Sequence, residues 1–303
     1  MILLNYKYSK KLKFNKTEDF KINKVTYKSE GNNIISSNKC YLPLDKSTNR
    51  IIHLIITRFL VEFFNKFDFE KKIYKDEYIV NANRVMKKYL FPSLENQICK
   101  DFIWVLLIGN KANITKVKSL LNLNLPFQFT IIYLKDFKNY TKDISKGYEV
   151  LITTRIDYDD QIYYDAVNDV RKSINIHKPI QLYGYNRGVY YFESNNKYYE
   201  MDRTFNKDGV MSIFASLIII LNKVKNIFTI YDLGDHSSIR KNLLKNLNIF
   251  GIKELKYDPG NFDSGSPKFI WVRQKLSGSY QYTINIPNKS KETYFNISKF
   301  IAK

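Results

Sequence analysis

The chain has 303 residues, 44% of them hydrophobic, with 24 Tyr and 21 Phe, enough to bury a substantial core as one large domain or two small ones. That composition excludes an intrinsically disordered chain. Its 49 Lys and Arg against 29 Asp and Glu leave a net charge of +20, which attracts polyanions such as nucleic acid, acidic membrane surfaces and phosphate-bearing substrates. The Lys residues are scattered among Asn, Ile, Tyr and Phe, the usage of an AT-rich genome, and form no dense basic run, so no specific nucleic-acid partner is expected.

Residues 1–50 are Lys-rich and turn-prone and read as an N-terminal extension, with a strand-like piece at Lys24–Tyr27. The opening MILLNYKYSKKLKFNK lacks a signal-peptide apolar region, and no run in the chain reaches bilayer-spanning length. The expectation is a cytoplasmic protein with no transmembrane segment, leaving room for peripheral membrane contact. Cys40 and Cys99 are too few for a disulfide framework and read as buried or inert thiols in a reducing compartment.

Ile51–Thr57 is the first continuous apolar strand, followed by Arg58 and Phe59. Tyr78–Tyr89 and Phe91–Ile98 have helical spacing, with Val85, Leu90, Leu94 and Ile98 on one stripe and Pro92 in a first turn. Phe102–Ile108 is a second buried strand, closed by Gly109-Asn110. Ile114–Leu121 predicts a short helix, Phe129–Tyr133 a third strand, Lys142–Tyr148 a polar connection, Val150–Thr154 a fourth strand and Gln161–Ile174 a helix. Strands apolar on both faces, alternating with helices, predict a mostly parallel sheet covered on both sides. After residue 179 the pattern becomes β-rich. Pro179–Tyr185, Val189–Ser194 and Lys197–Met201 read as aromatic strands, with hairpin turns at Asn186-Arg187-Gly188 and Asn195-Asn196. Met211–Val224 reads as a buried helix, Phe228–Asp232 as a strand, Ile239–Asn246 as a helix and Lys268–Arg273 as a strand, with a second aromatic strand after Ser277-Gly278-Ser279.

The segment Val150–Val167, VLITTRIDYDDQIYYDAV, sets Asp157, Asp159 and Asp160 directly after a strand in an otherwise basic chain. If the strand geometry continues, residues two apart point to one side, and the Asp157 and Asp159 oxygens converge. Two such carboxylates repel by roughly a few kcal/mol unless a cation lies between them, and a hard divalent ion that keeps substrate phosphates in its shell suits the pair. The bland alternative is a turn, with Asp160 capping a helix that starts near Gln161. In a parallel sheet, ligands bind beyond the carboxyl ends of the strands. Arg58, Asn110 and Asp157–Asp160 all follow such ends.

Four pieces in order carry a family resemblance: Ile56-Thr57-Arg58-Phe59, Leu90-Phe91-Pro92-Ser93-Leu94-Glu95-Asn96-Gln97, Phe102-Ile103-Trp104, and Thr154-Arg155-Ile156-Asp157-Tyr158-Asp159-Asp160. Together they resemble the rhamnosyltransferase family, glycosyltransferases of the GT-A type. The match is good over residues 51–175 and loose over 176–280. The resemblance implies a GT-A-like α/β fold with a mostly parallel central sheet flanked by helices. Residues 51–175 would form the nucleotide-sugar-binding half, and residues 176–303 the acceptor-side half of the same domain with a C-terminal extension. It also implies transfer of a sugar such as rhamnose from a nucleotide-diphosphate donor to a glycan or glycolipid acceptor.

By that resemblance Asp157 and Asp159 would hold Mn²⁺ or Mg²⁺ on the diphosphate. The Arg58 loop with Thr57 would lie near the nucleotide, and Asp160 would support the loop or touch the sugar; Asn110, by its place after a strand end, and Arg155, as a phosphate contact, complete the expected nucleotide-sugar set. Arg155 suits equally a structural ion pair with a neighbouring Asp. The chain departs from the family where a His follows the Trp of the C-terminal segment. Here Trp271 is followed by Val272-Arg273-Gln274-Lys275, and Lys275 could bind diphosphate directly. Asp235 and His236 remain as base or metal candidates, or as a turn before a helix. Asp202 and Asp208 are weaker base candidates. A metal-dependent nucleotidyltransferase and a non-enzymatic basic nucleic-acid-binding protein are the alternatives.

Overall fold

A computed structural model of the chain describes residues 27–30, 33–36, 41–42, 50–61, 73–185, 187–200, 214–234, 238–255, 259–263, 269–273 and 292–293. A small antiparallel meander comes first: β1 (Tyr27–Glu30), β2 (Asn33–Ser36) and β3 (Tyr41–Leu42). Then follow β4 (Ile51–Phe59), α1 (Asp76–Lys88), α2 (Leu90–Glu95), β5 (Ile103–Ile108), α3 (Ile114–Leu121), β6 (Gln128–Tyr133), α4 (Phe137–Ile144) and β7 (Val150–Arg155). The rest are β8 (Gln161–Ile162), α5 (Ala166–Lys172), β9 (Ile180–Tyr185), β10 (Val189–Phe192), β11 (Lys197–Glu200), β12 (Ala215–Ile220), α6 (Ile239–Lys245), β13 (Gly260–Asp263), β14 (Phe269–Arg273) and β15 (Glu292–Thr293).

The central sheet has the order β13-β9-β12-β7-β4-β5-β6, and among these strands only β12 runs antiparallel to its neighbours. The expected α/β fold with a mostly parallel sheet flanked by helices is therefore what the chain adopts. A second sheet, β15-β11-β10-β14-β8, carries much of the expected β-rich C-terminal half.

Alternation along the strands builds two cores. Ile51, Ile55 and Phe59 of β4 face a cluster completed by Trp104, Ile152 and Ile218 and covered by α1, α2, α3 and α5. Ile52, Leu54 and Ile56 face the opposite cluster, with Val105, Leu151, Leu217 and Leu243. Leu54, Ile55 and Ile56 are completely buried, each worth roughly 1.5–3 kcal/mol. Being buried on both faces is why β4 reads as an unbroken apolar run.

Several expectations fail for local reasons. Ala215–Ile220 is a strand, not part of a helix at Met211–Val224. Apolar on both faces, this segment has no periodicity to separate the two states, and its three consecutive Ile favour the pleat. Gln161–Ile162 is a short strand, and the helix begins only at Ala166. Ile230–Leu233 is a 3-10 turn rather than a strand. The polar connection at Lys142–Tyr148 overlaps α4, whose Phe137, Tyr140 and Ile144 recur at helical spacing. Asn186-Arg187-Gly188 joins strands of different sheets and so closes no hairpin, whereas the β10–β11 hairpin is present. The strand expected after Ser279 lies outside the described residues. Cys99 is buried and disulfide-bonded, not an inert thiol, which removes one ground for expecting a reducing compartment.

A buried polar chain ties three strands. His53 Nε2 lies 2.7 Å from Thr154 Oγ1, which lies 2.6 Å from Ser216 Oγ. Burial first, and the charge of Arg171 second, hold His53 well below its ordinary value of 6.5. The folded ring is therefore neutral, while the unfolded chain takes up a proton near pH 6.5. Its contribution to stability is complete above that pH and is lost as pH falls toward the folded value. We expect the urea midpoint to fall between about pH 7.5 and about pH 5.5, and to fall less in His53→Leu. Equal drops in both proteins would show that His53 is not the titrating group.

Candidate functional site

Successive connections from β4 run to β5 and β6 on one side, and the chain then returns to β7 on the other. In parallel sheets such a reversal of strand order is where ligands bind, beyond the carboxyl ends of the two central strands. The β4–β7 register is parallel, with Ile56 opposite Arg155, and Ile156 N donates to Ile56 O at 3.0 Å. Arg58 and Arg155 thus emerge side by side.

Both guanidinium groups lie against one ring. Arg58 Cζ is 4.8 Å and Arg155 Cζ 5.2 Å from the Tyr231 ring centroid, a distance at which the ring quadrupole attracts each cation. Tyr231 is itself held. Its hydroxyl donates to Ile56 O at 3.2 Å, and Ile230 N donates to Thr153 Oγ1 at 2.9 Å. Thr229 and Asp232 close a capping box around the turn. Burial pushes the Tyr231 phenol up to about 12, against the pull of the two Arg charges. Tyr231 carried no functional assignment and fell in an expected strand, although Thr229-x-x-Asp232 has capping-box spacing and could have marked the turn.

Arg155 is 3% exposed; its Nη1 donates to Gly234 O at 3.2 Å, while its buried Nε has no hydrogen-bond partner. Asp157 Oδ1 stands 3.9 Å from that Nε, with the Asp157 side chain 36% exposed. This is the ion-pair alternative for Arg155, at the outer limit of contact.

The acidic segment is a turn, with Asp160 N donating to Asp157 O at 3.3 Å. The extended geometry that would have aligned Asp157 and Asp159 is absent. Asp157 lies toward Arg155 and Tyr231. Asp159 is buried, and its charge acts on Tyr78 and Tyr158, whose hydroxyls are 3.4 Å apart and whose phenols are raised mainly by burial. Tyr158 packs edge-on against Phe59, on the sheet face opposite Tyr231. No group of three or more His, Cys, Asp or Glu that could hold a metal occurs among the described residues. One half-exposed and one buried carboxylate, with no third ligand beside them among the described residues, do not by themselves fit the expected Mn²⁺ or Mg²⁺ seat.

The other expected residues divide. Thr57 is fully buried, and its hydroxyl accepts from Trp104 Nε1 at 2.9 Å, so it ties β4 to β5 rather than facing a ligand. Asp160 is also fully buried, and its Oδ1 accepts from Val272 N of β14 at 3.1 Å. It ties the turn to β14 and does not cap the helix, whose N-cap position is Asp165. Exposed Asn110 accepts through Oδ1 from Lys135 N at 3.0 Å, joining the loops after β5 and β6. Gly109 before it allows a close approach, since a Cβ there would stand 2.2 Å from Leu60 O. Gln97 is structural: its Nε2 donates to Ser93 O and Tyr163 O, and its Oε1 accepts from Val167 N. Asp235, His236, Lys275, Asp202 and Asp208 lie outside the described residues.

No protein-family model matches the chain, and no curated protein matches it. Among solved structures it is similar to the inositol-1-phosphate CTP transferase from T. maritima, at 12% identity and a TM-score of 0.34 over 74% of this chain and 89% of that one. It is also similar to HddC from Yersinia pseudotuberculosis, at 13% identity and a TM-score of 0.36 over 76% and 96% of the two chains. At these values the fold rests on the strand order described above.

The two ends of the acidic turn should respond differently to truncation. Asp160→Ala leaves the buried Val272 N–H unsatisfied and should cost about 1–3 kcal/mol in urea unfolding. Asp157→Ala, at the half-exposed end, loses only a long, partly solvated ion pair with Arg155 and should cost about 1 kcal/mol or less. Equal losses would mean that the turn does not separate a structural from a solvent-facing carboxylate.

Proposed function

We propose that the chain is a transferase that binds a nucleotide-diphosphate sugar at the carboxyl edge between β4 and β7. The sugar passes to a hydroxyl of a glycan or glycolipid acceptor. The observation that carries this reading is the pairing of Arg58 and Arg155 at the reversal of strand order. Breaking the anomeric C–O bond leaves a diphosphate with added negative charge. Fixed cations aimed at that charge lower the barrier because they need no reorganisation as it develops. Arginine suits the task, since its planar fork matches phosphate oxygens two at a time.

The acceptor hydroxyl must also lose its proton, for which a positioned base contributes about 10²–10⁴-fold. Asp157 is a half-exposed carboxylate beside the arginines. Asp235 and His236 follow Gly234, the residue whose carbonyl Arg155 holds, and complete the candidates. Nucleotidyl transfer would use the same donor chemistry but break the phosphoanhydride, and product analysis with a sugar-labelled donor separates the two.

A ligand that binds only the folded chain raises its melting temperature, by about 2.7 kcal/mol of stability at a hundred times Kd. A thermal-shift screen of UDP-, TDP-, GDP- and CMP-sugars should find at least one that stabilises the protein. Arg58→Ala should lose that shift while keeping its ligand-free melting temperature. An absence of any shift, or a full shift in Arg58→Ala, would remove the donor assignment.

A further inference from the structure

The carboxylates of the acidic turn do not fit a cation seat, yet two guanidinium groups stand where a diphosphate would need positive charge. We propose that Tyr231 is a positioning residue that holds Arg58 and Arg155 together as a seat for a diphosphate, and that this seat works without a cation on Asp157 and Asp159. The inference deepens the donor reading and rests on it.

Three observations carry it. First, both guanidiniums lie within 5.2 Å of one ring centroid, so a single side chain fixes two cations that would otherwise repel each other. Second, that ring is fixed more firmly than a loop residue needs for packing alone. Its hydroxyl reaches Ile56 O, its neighbour Ile230 reaches Thr153 on β7, and Thr229 and Asp232 close the turn. The ring is thus referenced to the same two strands that carry the arginines. Third, Arg155 is 3% exposed, and its Nε lacks a hydrogen-bond partner, since Asp157 Oδ1 at 3.9 Å is beyond hydrogen-bonding distance. A buried guanidinium with an unused donor has capacity for a further anionic oxygen. Arg58 is half-buried and Arg155 buried. Asp157 then acts as the counter-charge of Arg155 in the empty protein.

The probe is inorganic pyrophosphate, titrated calorimetrically in EDTA and again with Mn²⁺. Salt is held at about 0.15 M, which screens the scattered lysines. The unaltered protein should bind pyrophosphate in EDTA, and Arg58→Lys should bind it more weakly. Tyr231→Leu removes the ring and should weaken binding by about tenfold or more, while Tyr231→Phe keeps it and should stay within about threefold. Melting temperatures of the free variants show that each is folded, and Tyr231→Phe is the conservative rescue should Tyr231→Leu unfold. Undiminished binding in Tyr231→Leu, or binding by the unaltered protein that appears only with Mn²⁺ or not at all, would overturn the proposal. If a nucleotide sugar still stabilises the protein in that case, the donor reading stands and only this inference fails. If pyrophosphate binds as expected but no nucleotide sugar does, the seat stands and the donor reading fails.

Discussion

The parallel pairing of β4 with β7 is the contact on which the site depends. Ile56 stands opposite Arg155, and the backbone bond from Ile156 to Ile56 holds the strands in step past the end of the regular ladder. A slip of one residue would send Arg58 or Arg155 to the other face of the sheet. Burial on both faces prevents that slip: Ile52, Leu54 and Ile56 would exchange places with Ile51, His53 and Ile55, and His53 would leave Thr154. Apolar burial thereby fixes the position of the two charges at the strand ends.

Most of the parallel sheet was legible because its strands are apolar on both faces and bounded by turn residues. Ile103–Ile108 and Ile114–Leu121 match their sequence boundaries to within a residue. β12 was not legible, since an apolar run suits a buried helix and a buried strand alike. Only the gap between β7 and β9, into which it pairs antiparallel with both, decides between them. That decision is tertiary, and no local pattern encodes it.

The candidate site was legible in place but not in role. The ends of β4 and β7 are where the arginines meet, as the sheet rule required. The residue types misled where backbone geometry intervened. Asp157 and Asp159 were aligned on the assumption of a continuing strand, and a turn at Asp157–Asp160 takes the place of that strand. Thr57, Gln97 and Asp160 belong to the ordered motifs of the family resemblance, yet each spends its polar atoms on the scaffold: on Trp104, on the chain around residue 163 and on β14. Motifs of this kind record the framework of a site as readily as its chemistry. Tyr231 escaped notice because the apolar and aromatic run Phe228–Asp232 reads as a strand, whereas the chain there forms a 3-10 turn.

The single antiparallel strand has a further effect. Because β12 runs against β7, Ala215 lies opposite Arg155 and Ile220 opposite Val150. The chain consequently enters this strand at the carboxyl edge of β7 and leaves it at the far edge. Ala215 therefore begins its strand beside the arginine that pairs on Tyr231, whereas insertions beyond Ile220 land at the opposite edge of the sheet.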